Sequence, residues 1–446
     1  MKILHYFLGF PPYRTGGLTK YSMDLMNAQI ERGNIVIALW PGTMKKLTKN
    51  ISIQQNKSVN KIINFELINP LPVSLDEGIV KFDAYMQSCD ENIFVEFLKK
   101  ISPDVIHIHT LMGLYREFVY AANKLNIKTV FTTHDYFGIC SKVTLYKNGC
   151  ACENDNNCFD CIACNESALS LKKIRVMQSP LYRKLKDFVL VKKLRRNHRK
   201  KFFSEKELLE KKDNDKIKNQ AENYQKLRLY YIDILTHIDV IHYNSTLTKD
   251  VFERFLIPKD SKIISITHKD ISDNRRSKKT KSHILRLTCL APTKAFKGFT
   301  VMKTALDELW ENGNHSFELK LFDQVQNPSP YMKIKENGYN YNELPQILAE
   351  TDLVLAPSVW YETFGFTVLE AISYGVPVII SNNIGAKDII GNGGIVVQAG
   401  SVQSLKDTIS SLNDEIINNL VNNIRENVTV KTWDQFLDEN ENLYIN

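Results

Sequence analysis

Two glutamates, Glu362 and Glu370, have seven residues between them and follow a short apolar run. The run Leu353–Ala356 predicts a buried strand, and the spacing after it predicts a helix that begins at about Phe364. The first turn of a helix leaves N–H groups unpaired and carries the positive end of the dipole, and Gly365 allows a ligand to approach the backbone. The segment therefore predicts an anion site beside two carboxylates, which suits a ligand that carries both phosphates and hydroxyl groups.

The sequence around this pair reads Pro-Ser-x-x-x-Glu-Thr-Phe-Gly and then Glu-Ala-x-x-x-Gly-x-Pro-Val-Ile. It resembles the retaining, GT-B-fold glycosyltransferases of family 4, and the resemblance covers nearly the whole chain except about residues 140–235. This implies two Rossmann-like domains that face a cleft and a nucleotide-diphosphate sugar as donor. Taken alone, Glu362 would be a loop carboxylate and Glu370 a solvated helix residue, but the surrounding pattern favours the functional interpretation.

The resemblance implies three catalytic residues. Glu362 would orient the transferred sugar, His134 would contact that sugar near the bond that breaks, and Lys297 would meet the diphosphate. A fixed cation at the leaving phosphate stabilises the transition state more than the ground state. The residues expected to bind the donor are Gly16, Gly17, Lys294, Phe364, Gly365, Phe366, Thr367 and Glu370, the last at the ribose.

Some of these positions have plainer interpretations. Gly16 and Gly17 follow the first strand and, taken alone, would form an ordinary turn, and a lone histidine such as His134 is more often structural. The family's usual Gly-Arg is Ala291-Pro292 here, so the expected arginine is absent. Lys294 is either a second cation for the phosphates or a solvated loop residue.

Six cysteines fall within 25 residues in the pattern C-x9-C-x-C-x5-C-x2-C-x2-C. Thiolates two residues apart in a polar loop are typical of structural zinc. We expect zinc, held by Cys140, Cys150, Cys158 and Cys161, because some members of the resembling family carry such a loop at these spacings. Cys152 and Cys164 can replace their neighbours, and reduced thiols or an iron–sulfur cluster are the alternatives. No cofactor is expected for catalysis, and Asp213-Asn214-Asp215 is read as solvated rather than as a metal motif.

Positive charge is concentrated in one segment of the chain. Residues 172–228 hold 20 Lys and Arg against 7 Asp and Glu, whereas the whole chain has a net charge of +8. Apolar residues interleave with the basic ones, which favours an anionic membrane surface as a partner. Nucleic acid would also attract this segment, and a solvated helical insertion is the plain alternative. With no nucleic-acid module recognised, we expect no nucleic-acid partner.

The 446 residues, 43% of them hydrophobic and 24% charged, have the composition of a soluble protein with two or three domains. Apolar runs and helical patterns alternate, which predicts α/β domains with parallel sheets. We expect a first domain at 1–270 with an insertion at 140–235, a donor-binding domain at 271–430 and a C-terminal helix at 431–446 that returns to the first domain. Among the predicted strands are Ile3–Phe10 and Ile263–Ile266.

The expected activity is a retaining hexosyltransferase of the glycosyltransferase class that uses a saccharide or lipid-linked acceptor, with bacterial surface polysaccharide assembly as its setting. The chain opens without a leader-like apolar core and has no run of ~20 apolar residues, so we expect a cytoplasmic protein peripheral on the inner face of the membrane. A sugar-nucleotide epimerase or phosphorylase of the same fold and a nucleic-acid-binding zinc protein are the rival functions.

Overall fold

A computed structural model describes residues 1–45, 50–153, 157–188, 191, 214–275 and 284–445, with the backbone alone for 214–218. The strands fall into two main sheets and one short hairpin. The strands are β1 Lys2–Tyr6, β2 Ile35–Pro41, β3 Ser52–Val59, β4 Ile62–Ile68, β5 Val105–Ile108, β6 Lys128–Thr132, β7 Tyr146–Lys147, β8 Cys150–Ala151, β9 Val240–Tyr243, β10 Ser261–Ile263, β11 Leu285–Cys289, β12 Phe317–Leu321, β13 Met332–Ile334, β14 Leu353–Ala356, β15 Val378–Ser381 and β16 Gly394–Val397.

The first sheet has eight strands in the order β10-β9-β6-β5-β1-β2-β4-β3 and is parallel except for the β3–β4 hairpin. The second has six strands in the order β13-β12-β11-β14-β15-β16, all parallel. Nearly all central strand residues are buried, as expected where helices cover both faces of a parallel sheet. The predicted α/β class with two parallel sheets is confirmed.

Helices connect the strands and cover the sheets. The helices are α1 Gly17–Glu31, α2 Asn92–Ile101, α3 Arg116–Lys124, α4 Phe159–Cys164, α5 Leu171–Met177, α6 Pro180–Leu185, α7 Asn214–Thr236, α8 Thr246–Phe252, α9 Phe299–Glu311, α10 Leu344–Ala349, α11 Phe366–Ser373, α12 Lys387–Ile390, α13 Val402–Ser411, α14 Asp414–Asn427 and α15 Trp433–Ile445. Short 3-10 turns lie at Phe82–Tyr85, Ala295–Lys297, Tyr341–Glu343 and Gly391–Gly393. In the described part of the chain, no helix combines the length and the apolar content that crossing a membrane requires.

The last helix, α15, follows the second sheet in sequence but packs on the first. Its Leu443 and Tyr444 are buried against Ile3, Val105 and Val130 of the first sheet. Arg32 at the end of α1 donates a 2.7 Å hydrogen bond to Asp438, which fixes the outer side of the helix. The C-terminal helix is therefore part of the first sheet's core.

Three predicted limits were wrong by a few residues. The first strand ends at Tyr6 rather than Phe10, and β10 covers Ser261–Ile263 rather than Ile263–Ile266. The helix predicted from Phe364 begins at Phe366, because Gly365 has a φ of +105°, outside the helical region. The domain limits stay predictions, and residues 276–283, near the expected boundary at 270, lie outside the described residues.

Candidate functional site

Glu362 lies in the loop between β14 and α11 and is held by two side chains from different segments. The Lys297 ammonium donates to Glu362 Oε1 at 2.6 Å, and the Ser358 hydroxyl donates to Oε2 at 2.6 Å. The Lys297 ammonium also lies 4.9 Å from the centre of the Trp360 ring. Each carboxylate oxygen therefore has a donor of its own, and the carboxylate is fixed in one orientation.

The Lys297–Glu362 pair is partly shielded from water, since each side chain is 17% exposed. Burial alone would raise the pKa of Glu362, but the adjacent Lys297 ammonium and the hydrogen bonds from Lys297 and Ser358 outweigh it and hold the pKa below its usual value. Glu362 is thus an ionised carboxylate at neutral pH. The loop carries a fixed negative charge directly beside a fixed positive one.

The close approach of two loops brings Lys297 to Glu362. Gly298 has a φ of +81°, and a Cβ on it would lie 1.9 Å from the carbonyl oxygen of Pro357, so only glycine allows this contact. The Glu362 backbone is fixed on its other side, since its N–H donates to Asn383 O at 2.8 Å and its carbonyl accepts from Gly385 N at 2.9 Å. The pair is therefore positioned by backbone packing rather than by flexible loops.

The N-terminus of α11 lies next in the chain. Phe364 is buried, whereas Phe366 and Thr367 are half-buried in the first turn. Glu370, further along the same helix, is 8% exposed, and its Oε1 lies 3.7 Å from His268 Nε2. The helix thus carries a second carboxylate, which shares its surroundings with a histidine that follows the last strand of the first sheet.

The Glu362 loop also contacts the first sheet. Thr363 Oγ1 donates to the carbonyl oxygen of His134 at 3.2 Å. The carbonyl of Thr363 accepts from Ser245 Oγ at 2.8 Å and from Thr248 Oγ1 at 3.0 Å. Because His134 follows β6 and the Glu362 loop follows β14, the carboxyl ends of the two sheets meet here, where open α/β sheets bind ligands.

His134 lies on the first-sheet side of this junction. Its Nε2 is 3.3 Å from His109 Nδ1, and its ring packs at 4.5 Å on that of Tyr21 from α1. Burial lowers the pKa of His134 to about 3. The structure therefore brings the segments that carry His134, Glu362 and Lys297 together through the contact between the His134 carbonyl and Thr363.

Gly16 and Gly17, where α1 begins, differ from most glycines of the chain. A Cβ built on either would meet no protein atom within 4 Å among the described residues. Gly16 has a φ of +119° and needs glycine for that reason, whereas no such constraint is found at Gly17. Lys294 is exposed at the start of the Lys297 turn. These three residues border open space, as donor-binding residues must.

The predicted zinc ligands lie between β6 and α7. Cys161 is hydrogen-bonded to Cys158, which is fully buried, and Arg228 Nη2 lies 3.9 Å from Cys161 Sγ. Cys140 is half-buried close to Cys161, whereas Cys150 is exposed in β8. Within the described ranges, no three cysteine sulfurs lie within 4.8 Å of one another.

The cysteine loop contacts the second domain. The ring of Tyr146 in β7 lies 6.1 Å from that of Phe296, and Phe296 packs at 5.3 Å on Trp360. Phe296 precedes Lys297, and Trp360 is two residues before Glu362. The cysteine loop thus contacts an aromatic residue that neighbours the ionised pair in sequence.

The sequence analysis did not predict several polar residues that line this region. Ser358 lies inside the motif, but nothing in its spacing indicated a contact with Glu362. His268 follows an apparently featureless strand. The buried histidines His5, His107 and His242 were not predicted as functional residues either, although a histidine within an apolar strand run is itself a signal, since it requires a buried hydrogen-bond partner.

Residues 294–430 match the family model described as "Glycosyl transferases group 1". This segment is a group 1 glycosyltransferase domain. It contains Lys294, Lys297, Glu362 and Glu370, so the residues that carry the ionised pair lie inside the matched region.

Curated relatives match over short stretches. The chain is 37% identical over 84 residues to the O-antigen chain mannosyltransferase B of Escherichia coli, which is 18% of this chain and 22% of that protein. It is 28% identical over 108 residues to the UDP-Gal:alpha-D-GlcNAc-diphosphoundecaprenol alpha-1,3-galactosyltransferase of Escherichia coli, which is 23% of this chain and 28% of that protein. The chain thus spans under a third of the length of either relative.

Solved structures match over the whole chain. The sucrose-phosphate synthase of Thermosynechococcus elongatus is similar with a TM-score of 0.55 and 12% identity, covering 100% of this chain and 98% of the other. The Anabaena HepE protein in complex with UDP and glucose is similar with a TM-score of 0.53 and 13% identity, covering 99% and 98%. These likenesses confirm the predicted GT-B fold.

Proposed function

We propose that the protein is a retaining glycosyltransferase of family 4 that moves a hexose from a nucleotide-diphosphate sugar to a saccharide or lipid-linked acceptor in bacterial surface polysaccharide assembly. The observation that carries the proposal is the ionised Lys297–Glu362 pair at the junction with His134. The group 1 domain and the relatives named as a mannosyltransferase and a galactosyltransferase support it. The HepE complex with UDP and glucose supports the donor class.

The residues present suit a diphosphate and a sugar. Lys297 would contact the diphosphate, helped by the N–H groups of Phe366 and Thr367 at the start of α11. A diphosphate bound there would share the Lys297 ammonium with Glu362. The carboxylate oxygens of Glu362 would accept hydrogen bonds from sugar hydroxyls through their remaining lone pairs. Glu370, beside His268, would accept from the ribose. No step in this arrangement requires a protein nucleophile, since the departing phosphate takes the acceptor proton.

The test is a panel of UDP-, GDP-, ADP- and dTDP-sugars. A donor at 100 times its dissociation constant raises stability by ~2.7 kcal/mol, which a thermal shift measures. That shift should shrink in Glu370→Gln, and product NMR with a lipid-linked or saccharide acceptor should show a retained anomeric configuration. No shift with any donor contradicts the proposal. Conversion of the donor without an acceptor indicates the epimerase, and an inverted product removes the retaining mechanism.

We also propose that the cysteine loop holds one structural zinc ion. The buried cation Arg228 beside Cys161 supports this, because a zinc site with four thiolates carries net negative charge that a nearby guanidinium compensates. Burial raises the pKa of Cys164 to about 12, so without a metal this thiol is protonated. The exposure of Cys150 favours Cys152 or Cys164 as the fourth ligand beside Cys140, Cys158 and Cys161. Elemental analysis should find one zinc per chain, whereas stoichiometric iron or no metal contradicts it.

Finally, we propose that the insertion binds an anionic membrane surface from the cytoplasmic side. Leu181 is 67% exposed and Phe188 61% exposed, and the same segment carries the exposed Lys172, Lys173 and Lys184. The strongly basic residues Arg195, Arg196, Arg199, Lys200 and Lys201 lie outside the described residues. Such a mixture of apolar and basic side chains suits a lipid interface.

Liposome binding tests the membrane proposal. Binding should rise with the fraction of anionic lipid, fall as salt is added, and weaken several-fold in the double variant Leu181→Ser, Phe188→Ser. The matched control is Ile257→Ser, since Ile257 is 89% exposed but lies outside the insertion. Equal losses in both variants, or binding to nucleic acid instead of liposomes, would contradict the proposal.

A further inference from the structure

A chain of hydrogen bonds runs from His134 into the core of the first sheet. His134 Nε2 lies 3.3 Å from His109 Nδ1, and His109 Nε2 lies 2.9 Å from His5 Nδ1. His5 Nε2 then lies 2.7 Å from Gln29 Oε1. These four residues come from three neighbouring strand regions, β6, β5 and β1, and from helix α1.

The chain of hydrogen bonds continues through Tyr444 of the C-terminal helix and returns to the first sheet. Gln29 Nε2 lies 2.9 Å from the hydroxyl of Tyr444, which lies 2.7 Å from His107 Nδ1. His107 Nε2 is in turn 2.7 Å from the hydroxyl of Thr132. Tyr444 of α15 is thus the bridge between two branches.

The second branch ends on the backbone. Thr132 Oγ1 lies 2.9 Å from His242 Nδ1, and His242 Nε2 lies 2.9 Å from the carbonyl oxygen of Ile264. A carbonyl oxygen only accepts hydrogen bonds. The direction of the hydrogen bond is therefore fixed at this end of the hydrogen-bonded chain, because His242 must be the donor.

The members of this chain are buried and uncharged. The exposed fractions of His5, His107, His109 and His242 are 0 to 1%, and that of Tyr444 is 5%. Burial lowers the pKa of His5 and of His242 to about 4. Each imidazole therefore carries a single proton, on one of its two nitrogens.

Nitrogens of His5, His107 and His109 lie within 4.8 Å of one another, which is close enough for a metal ion. Both ring nitrogens of each of these histidines, however, lie within 3.3 Å of another polar group. A metal ion would have to displace several buried hydrogen bonds. The hydrogen-bonded chain accounts for the cluster without a metal.

The polarity of the second branch follows from the Ile264 carbonyl. His242 must donate through Nε2, so its Nδ1 has no proton and must accept from the Thr132 hydroxyl. Thr132 has then used its only proton and must accept from His107 Nε2. His107 Nδ1 is consequently an acceptor, and the hydrogen bond between His107 and Tyr444 must use the tyrosine proton.

Asn440 competes for that proton, because its Oδ1 lies 2.8 Å from the Tyr444 hydroxyl while its Nδ2 is buried with no partner among the described residues. If Tyr444 donated to Asn440, every bond of the second branch would reverse and His242 Nε2 would face the Ile264 carbonyl with no proton between them. Turning the Asn440 amide around lets Nδ2 donate to Tyr444 instead. That orientation removes the conflict, since amide oxygen and nitrogen have nearly the same shape.

The first branch then has a single consistent polarity. With its proton given to His107, the Tyr444 oxygen must accept from Gln29, so the Gln29 amide oxygen faces His5. His5 and then His109 must each donate through Nε2, and His134 must do the same. We propose that the Ile264 carbonyl, acting through Tyr444 and Gln29, fixes His134 as the Nε2–H tautomer and leaves its Nδ1 as a hydrogen-bond acceptor for a substrate hydroxyl.

The orientation of His134 agrees with this role. No protein partner of its Nδ1 is found in the part of the chain that the structure describes, and its carbonyl contacts Thr363, next to Glu362. Tyr444 and Gln29 are positioning residues, since they act through His134. The acceptor role of Nδ1 rests on the proposed function, whereas the tautomer does not.

Long-range proton–nitrogen NMR of protein labelled with 15N-histidine tests the tautomer. It distinguishes protonated from unprotonated ring nitrogens, and a His134→Asn variant assigns the signals of His134. We expect the five histidines of this hydrogen-bonded chain, His5, His107, His109, His134 and His242, to be protonated at Nε2 in the parent protein. A proton on Nδ1 of His134 overturns the proposal, and this measurement requires neither substrate nor activity.

Variants of the bridge test the coupling. Tyr444→Phe should introduce a second tautomer of His134 and lower kcat several-fold, whereas Gln29→Glu, whose carboxylate only accepts, should keep the Nε2–H form. Arg32→Ala is the matched control, because it loosens α15 without interrupting the chain. An unchanged His134 tautomer in Tyr444→Phe, or a changed tautomer with unchanged kcat, overturns the proposal. If the protein uses no donor at all, the proposed function fails. The tautomer of His134 in the parent protein, measured by NMR, still tests the hydrogen-bonded chain.

Discussion

The two sides of the candidate site are both buried, but one is neutral and the other carries charges. On the first-sheet side, burial without a counter-charge keeps the histidines neutral, with the pKa of His134 lowered to about 3. On the second-sheet side, burial with a counter-charge keeps Glu362 ionised, because Lys297 is 2.6 Å away. The comparison shows that the presence of a charged partner decides the state of a buried group. A substrate between the two sides would meet neutral hydrogen-bonding groups on one side and fixed charges on the other.

Removing the negative charge should have the largest effect. Glu362→Gln should lower the transfer rate by about 100-fold, since a hydrogen bond to a charged group is worth ~1.5–3 kcal/mol in a site of this kind. Donor affinity should change less, because Lys297 remains. Glu370→Gln is the matched carboxylate, and it should weaken nucleotide binding more than it slows transfer. Equal transfer by Glu362→Gln and the parent, with the fold intact, would remove the role of Glu362.

Removing the positive charge should make the second side behave like the first. In Lys297→Met, burial acts on Glu362 without a counter-charge, so the pKa of Glu362 should rise above its usual value. Turnover should fall about 10- to 100-fold through the loss of a charge-assisted contact to the leaving diphosphate. The remaining activity should increase with pH as Glu362 ionises, while the parent shows no such step. A pH–rate profile of both proteins measures this, and a change confined to donor affinity would contradict it.

The neutral histidines of the first-sheet side should make the free energy of unfolding depend on pH. Below the unfolded pKa of 6.5 the unfolded chain binds protons that His5 and His242, with a pKa of about 4, do not bind when folded. The free energy of unfolding should therefore fall as pH drops from 6.5 to 4, by about 2 kcal/mol per such histidine at pH 5. Calorimetry at pH 7.5, 6 and 5 measures the slope. His242→Asn should reduce it, and His315→Gln, on the exposed surface, should not.

A smaller effect on donor binding is expected from a change at Gly17, the first residue of α1, which we expect to contact the donor. Gly17→Ala adds a methyl group in open space and should lower donor affinity by about tenfold. Stability should stay the same or rise slightly, because alanine favours helices more than glycine. Gly313→Ala is the opposite control. Gly313 also borders open space but has a φ of +88°, so the variant should lose stability and keep its donor affinity. Unaltered donor binding in Gly17→Ala would place the diphosphate elsewhere.

The sequence predicted the elements that carry strong local signals. The continuous apolar run Leu353–Ala356 was found as a strand because central parallel strands are buried on both faces. Strand β3, Ser52–Val59, was missed because it is largely exposed at the sheet edge and has a polar sequence. Its turn to β4 uses Asn60 and Lys61, both with positive φ, instead of a glycine that would mark it.

The sequence predicted the site residues that lie within recognisable motifs, but not those brought to the site by contacts between distant segments. Glu362, Glu370 and Lys297 lie within one domain, and their spacing is preserved by the strand–loop–helix units that carry them. The contact between Tyr444 and His107 joins residues 337 positions apart, and no spacing rule connects them. The tautomer of His134 depends on such contacts, so it follows only from the three-dimensional arrangement.

The docking of Tyr444 has a consequence for synthesis of the chain. The last strand of the first sheet ends at Ile263, and Tyr444 is translated roughly 180 residues later, which takes on the order of 10 to 40 seconds at ~5–20 residues per second. During that interval His107 and Gln29 lack the hydroxyl that bridges them. The first sheet, although made first, therefore completes its core only after the C-terminal helix has been made.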